Sequence, residues 1–141
     1  MSKASKNTSH RKLFTVSSDA PFQFVEAYKS LRTNLQFCGE DKKVIAVTSC
    51  TPNEGKSSVS MQLGISLAES GKRVILIDAD LRKSVLLGRT KTQKSVRGLA
   101  HFLSGQATLE DVICSTNVKN FYMIYSGPFP PNPAELLGGK N

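Results

Sequence analysis

Residues 48–60 read TSCTPNEGKSSVS, and this stretch decides the fold. It closes on Gly55-Lys56-Ser57, the end of the phosphate-binding pattern G-x-x-x-x-G-K-[ST]. Before it, residues 44–49 (VIAVTS) are β-branched and almost wholly apolar, which predicts a strand buried on both faces of a parallel sheet. After it, Val59, Leu63 and Leu67 recur at helical spacing, and Gly71 stands where a helix would stop. A strand, a Gly-Lys-Ser turn and a helix in that order put backbone N–H groups and a helix N-terminus around a phosphate. Gly55 allows the close backbone approach, Lys56 reaches the outer phosphates, and the Ser57 hydroxyl is placed to ligate Mg²⁺. The expected cradle is Pro52, Asn53, Glu54, Gly55, Lys56, Ser57 and Ser58. Two positions depart from the commonest form. Asn53 stands where many such loops have glycine, a mild change because Asn tolerates positive φ. Cys50 replaces the first glycine of the pattern, which a corner with negative φ accommodates.

Downstream, residues 73–80 (RVILIDAD) form a second buried-strand pattern that delivers Asp78 and Asp80 to the carboxyl edge of the sheet. Residues i and i+2 of a strand share a face. Two carboxylates there suit the hard oxygen shell of Mg²⁺, or one of them can take a proton from an attacking hydroxyl. They lie on the strand next in sequence, and ligands of open α/β sheets bind at these strand ends.

The remaining chain fits an α/β class: a P-loop NTPase with a mostly parallel, doubly wound sheet, flanking helices and an incomplete C-terminal part. Residues 1–20 are polar and rich in Ser and Lys, and read as a disordered basic arm ahead of a 21–141 domain. Pro21 opens a helix with Phe24, Tyr28, Leu31 and Leu35 on one face. Further helices are expected around residues 98–105, from Thr108 as N-cap, and at the C-terminal end of the chain; residues 121–127 (FYMIYSG) read as a third strand. With 141 residues the chain suits one domain, and no apolar run is long enough to span a bilayer. The three cysteines, Cys38, Cys50 and Cys114, form no C-x-x-C pair and read as reduced cytosolic thiols. Net charge is +8, drawn from the N-terminal arm and from residues 82–97, which carry six basic residues and no acid. Such a surface attracts anions of any kind, nucleotides, nucleic acid or acidic lipid headgroups, but no aromatic side chain interleaves the second run, which argues against a single-strand stacking platform, and no nucleic acid is expected as a partner.

Five blocks in one order, EAYKSLRTNLQF (26–37), SCTPNEGKSS (49–58), VILIDADLR (74–82), GLAHFLSGQATLEDVI (98–113) and SGPFPPNPAELL (126–137), resemble the bacterial tyrosine kinases (BY-kinases) of capsular and exopolysaccharide synthesis. The likeness is to the separate cytoplasmic type that works beside a transmembrane adaptor at the inner face of the membrane. It implies Mg²⁺ and ATP, autophosphorylation of a tyrosine cluster, protein tyrosine substrates, and control of polysaccharide synthesis and export. It implies that Lys56 and Ser57 are the Walker A lysine and metal-binding hydroxyl. It makes Asp78 the candidate base on tyrosine and Asp80 a magnesium ligand. It also implies that Glu26, Lys29 and Arg32 help to build a ring-shaped oligomer; Lys29 stands for an arginine and lacks its planar fork. Two family features are not found here. No strand after Asp80 ends in a second metal carboxylate (Walker B), and there is no tyrosine-rich tail; Tyr28, Tyr122 and Tyr125 read as core or half-buried residues. A partitioning or division-site ATPase is the alternative within the P-loop class, disfavoured because Thr51 stands where those proteins place an early lysine. A catalytically inactive binding module is the other alternative.

Overall fold

The computed structural model describes residues 13–16, 21–51, 55–89 and 96–139. The elements follow as β1 (Leu13–Phe14), α1 (Phe22–Phe37), α2 (Lys56–Glu69), β2 (Val74–Ile77), α3 (Leu86–Arg89), α4 (Leu99–Leu103), α5 (Leu109–Val112), β3 (Cys114–Thr116), β4 (Phe121–Ile124) and α6 (Pro133–Gly138). The sheet order is β1-β3-β4-β2. The pairs β1–β3 and β2–β4 are parallel and β3–β4 is antiparallel. The sheet is therefore mostly parallel, and the β2–β4 register (Val74 opposite Phe121, Ile77 opposite Ile124) sets Asp78 just beyond the sheet's end.

Helix α2 starts and stops where its sequence dictates. Gly55 precedes it with φ 84°, a left-handed conformation that a side chain resists, and Gly71 follows it with φ 92°. Its inner side supplies Met61, Ile65 and Ala68 to a core completed by Phe14, Val16, Leu86, Val96, Cys114, Phe121, Met123 and Tyr125. Gly64 lets α2 lie close to Phe121, whose ring occupies the space a Cβ would need. Thr108 caps α5 as expected: its hydroxyl accepts from Asp111 N, and the Asp111 carboxylate accepts from Thr108 N.

Three expectations are corrected. Residues 13–16, placed in the disordered arm, belong to the domain. Leu13–Phe14 pairs with β3, Phe14 and Val16 are buried, and Val16 N donates to Asn117 Oδ1 at 2.7 Å. Phe14 and Val16 belong to a short apolar cluster with Leu13 in an otherwise polar run, and burying them outweighs the local composition. The rest of that arm, 1–12 and 17–20, lies outside the described residues.

Second, residues 44–49 join no strand ladder, although their composition is that of a buried strand. Val44 is 91% exposed, and Ile45 and Val47 are partly exposed. A strand needs a neighbour for its N–H and C=O groups, and among the described residues β2 pairs only with β4. For the same reason β2 is not buried on both faces. Val74 and Leu76 pack on the core, while Ile75 and Ile77 on the other face are about half exposed.

Third, the inward stripe of α1 is Val25, Tyr28, Arg32 and Leu35, each half-buried, and Phe24 and Leu31 point away into solvent. Among the described residues no helix is long and apolar enough to cross a membrane.

Candidate functional site

The site lies in a cleft of about 900 Å³ that runs along the open face of β2 between residues 43–47 and α6, and Lys56, Ser57, Asp78, Asp80, Arg82 and Ser84 line it toward the carboxyl end of the strand. Its floor is the N-terminus of α2. The left-handed Gly55 turns the chain into the helix so that Lys56 and Ser57 form its first turn. Among the described residues nothing lies within 4 Å of where a Gly55 Cβ would sit, so it is the backbone angle that calls for glycine here. The free N–H groups of a first turn carry partial positive charge, and the Lys56 ammonium adds a full one. Lys56 and Ser57 are half-buried, and Ser58 is exposed on the same turn. Pro52, Asn53 and Glu54, the rest of the expected cradle, lie outside the described residues.

The opposite wall is built by the loop after β2. Asp78 N donates to Ile124 O at 2.9 Å, which continues the β2–β4 ladder by one residue and fixes where the carboxylate starts. Asp78 Oδ1 accepts from Asp80 N at 3.1 Å, and Asp78 Oδ2 accepts from the Ser84 hydroxyl. Burial raises the Asp78 pKa above the ordinary carboxylate value; the hydrogen bonds from Ser84 and Asp80 N oppose that rise, the Asp80 charge adds to it, and Lys56 opposes it. A carboxyl group shifted in this direction is a better proton acceptor than a free one. Asp80 Oδ1 accepts from Arg82 N at 3.2 Å and Lys83 N at 3.0 Å, so one of its oxygens is used in folding the loop.

The structure thus brings Lys56, Ser57, Asp78 and Asp80 to one cleft. This donor set fits a magnesium-bound nucleotide: cationic groups and a helix start for phosphate, and a hydroxyl and a carboxylate oxygen for a hard cation. The trio on α1 is not gathered in the same way. Glu26 and Lys29 form an exposed ion pair at 2.9 Å, whereas Arg32 turns inward and its Nη1 donates to Ser66 O at 2.7 Å. Ser84 was missed by the sequence reading, since nothing in the residue pattern marks a serine six positions after Asp78 in a loop. The three tyrosines lie as expected. Tyr125 is buried with its ring 5.0 Å from that of Phe14, and Tyr28 and Tyr122 are half-buried.

A model of the AAA domain family matches residues 42–128. The chain is 46% identical over 112 residues to the tyrosine-protein kinase CpsD of Streptococcus agalactiae, covering 79% of this chain and 49% of that protein. It is 40% identical over 117 residues to the tyrosine-protein kinase YwqD of Bacillus subtilis (strain 168), covering 82% and 49%. Among solved structures, the BceF tyrosine kinase domain superposes with a TM-score of 0.74 at 43% identity, covering 82% of this chain and 46% of that one. The chain spans about half the length of the curated relatives it matches. The residues matched by the family model contain both the Gly-Lys-Ser turn and the Asp78/Asp80 loop, so the chain belongs to the AAA domain family, and over about four fifths of its length it is similar to bacterial tyrosine-protein kinases.

Proposed function

We propose that this chain is the nucleotide-binding part of an autophosphorylating protein-tyrosine kinase that regulates capsular or extracellular polysaccharide synthesis and export. The observation that carries this is that Lys56, Ser57, Asp78 and Asp80 line one cleft, where it passes the carboxyl end of β2. In this reading Lys56 and the first turn of α2 hold the β- and γ-phosphates of ATP. Ser57 and the free oxygen of Asp80 hold magnesium, which when bound neutralises charge on the transferring phosphoryl group. Asp78 accepts the proton of a tyrosine hydroxyl, whose oxygen forms the new bond to phosphorus as ADP leaves. Pro52, Asn53, Glu54 and Ser58 complete the cradle.

Supporting the kinase reading over a partitioning ATPase is the likeness to CpsD and YwqD, both named tyrosine-protein kinases. The partners in this reading are a transmembrane adaptor that recruits the protein to the inner face of the membrane, protein tyrosine substrates, and further copies in a ring that uses Glu26, Lys29 and Arg32. A non-enzymatic binding module is the second reading, favoured for the isolated chain by the burial of Tyr125 and the half-burial of Tyr28 and Tyr122.

The test of the cleft is calorimetric titration with Mg-ATP. Lys56→Met is expected to weaken binding at least tenfold, since it removes a charged donor to phosphate. Equal affinity in the variant and the parent would remove the assignment.

A further inference from the structure

We propose that Ser84 is a positioning residue that holds the Asp78 carboxylate away from Lys56, so that Lys56 is available to nucleotide phosphate; this role rests on the nucleotide-binding reading of the cleft. The Asp78 carboxylate is gripped from two sides of the loop it begins. Asp80 N takes Oδ1 and the Ser84 hydroxyl takes Oδ2. The hydroxyl is itself oriented: Leu86 N donates to Ser84 Oγ at 3.3 Å, which occupies an acceptor site on that oxygen and leaves its proton for Asp78. Two opposed donors leave the carboxylate one orientation in place of several rotamers.

The need for such a hold comes from across the cleft. Lys56 lines the same space, and its positive charge already acts on Asp78. A carboxylate held only by Asp80 N is free to turn toward that ammonium and form an ion pair. Phosphate would then have to displace the pair before binding. Ser84 prevents the capture with a neutral donor that does not itself compete for phosphate.

The loop does not depend on the Ser84 hydroxyl to fold. Leu81 and Leu86, on either side of Ser84, are 2% and 4% exposed and anchor it in the core. Asp80 closes it independently by accepting from Arg82 N and Lys83 N. Removing the hydroxyl therefore changes the freedom of Asp78 more than the path of the backbone.

The experiment measures Mg-ATP affinity of the 141-residue chain by calorimetry in five forms: parent, Ser84→Ala, Ser84→Thr, Asp78→Asn and the Ser84→Ala/Asp78→Asn double variant. Ser84→Ala is expected to lose roughly tenfold in affinity, the scale of one hydrogen bond to a charged group. Ser84→Thr, which keeps the hydroxyl, should retain most of the parent affinity. In the Asp78→Asn background, where the Asp78 charge that would capture Lys56 is gone, adding Ser84→Ala should change nothing further. Should Ser84→Ala not fold, Ser84→Cys keeps the volume with a weaker donor and should show a smaller loss of the same kind. Parent-like affinity in Ser84→Ala, or an equal loss with and without the Asp78 charge, overturns the role of Ser84 and leaves the cleft assignment standing. A parent chain that does not bind Mg-ATP overturns both.

Discussion

The Arg32 guanidinium donates to the backbone carbonyl of Ser66 at 2.7 Å and approaches the Ser66 hydroxyl at 3.4 Å. This ties α1 to α2, the helix whose first turn forms the floor of the cleft, across 34 positions of sequence. Arg32→Ala is expected to loosen α1, lowering stability by about 1–3 kcal/mol, the range for a hydrogen bond from a charged donor. Urea denaturation reads this directly. Replacing Glu26 and Lys29 by Ala, with Arg32 kept, separates assembly from packing. If the exposed pair belongs to an oligomer contact, the double variant should sediment lighter than the parent with unchanged denaturation midpoint; sedimentation like the parent would show that the pair is only a surface ladder.

The open side of β2 should be visible in solution. Val44 is 91% exposed and Ile75 and Ile77 are about half exposed on the walls of the same cleft. Contiguous apolar surface of this kind promotes association. The chain alone is expected to bind a hydrophobic dye and to self-associate as its concentration rises. Val44→Lys combined with Ile75→Lys should reduce both signals in light scattering and fluorescence; no change would mean that this surface is covered in solution.

Gly98 is expected to tolerate no side chain. A Cβ there would collide with Tyr125 O and Gly127 N, at the place where Leu99 N and Ala100 N donate to Tyr125 O at 2.7 Å and Ser126 O at 3.0 Å. Gly98→Ala should cost about 1–3 kcal/mol through overpacking. Gly138→Ala, where a Cβ meets nothing within 4 Å among the described residues, serves as the control and should stay within about 0.5 kcal/mol of the parent.

Asp111 supplies a pH dependence of known sign. The Thr108 backbone N–H, and then the Thr108 hydroxyl, hold its pKa below the ordinary carboxylate value. A depressed folded-state pKa contributes stability that is present above the unfolded value and lost as pH falls through the folded one. Thr108→Ala removes the hydroxyl and keeps the backbone donor. The Asp111 pKa, followed by NMR titration of the side-chain carboxyl, should rise part of the way to the ordinary value. No movement would assign the whole effect to the backbone N–H.

The isolated chain is not expected to autophosphorylate on tyrosine, even where it binds nucleotide. Tyr125 is 1% exposed and packs on Phe14, and Tyr122 is held in β4 opposite Ile75. To reach Asp78, Tyr122 would have to leave the sheet and Tyr125 its place in the core. Incubation with labelled Mg-ATP and an anti-phosphotyrosine blot checks this; a signal absent in Lys56→Met would show that one of these tyrosines can escape its packing.

Local chemistry made part of this protein legible from its residues alone. Gly55-Lys56-Ser57 before an amphipathic run specifies a helix start with a phosphate-binding turn, because glycine adopts the φ of 84° at no steric cost. The apolar run before Asp78 specifies a strand that ends in carboxylates, and Thr108 with Asp111 specifies a cap. These depend on neighbours a few residues apart. What the tertiary structure decided depends on partners far away in the chain. Residues 44–49 have the composition of a strand, but pairing is a property of two segments, and β2 takes β4 and not this one. Phe14 and Val16 look like part of a polar arm until β3 and Asn117, about 100 positions away, give them a place in the core. Arg32 looks like one rung of a charged ladder until Ser66 turns it inward. Ser84 reads as an ordinary loop serine until the loop closes and sets its hydroxyl against Asp78. Composition specifies what a segment can do, and burial and hydrogen-bond partners, supplied only by the fold, select among those possibilities.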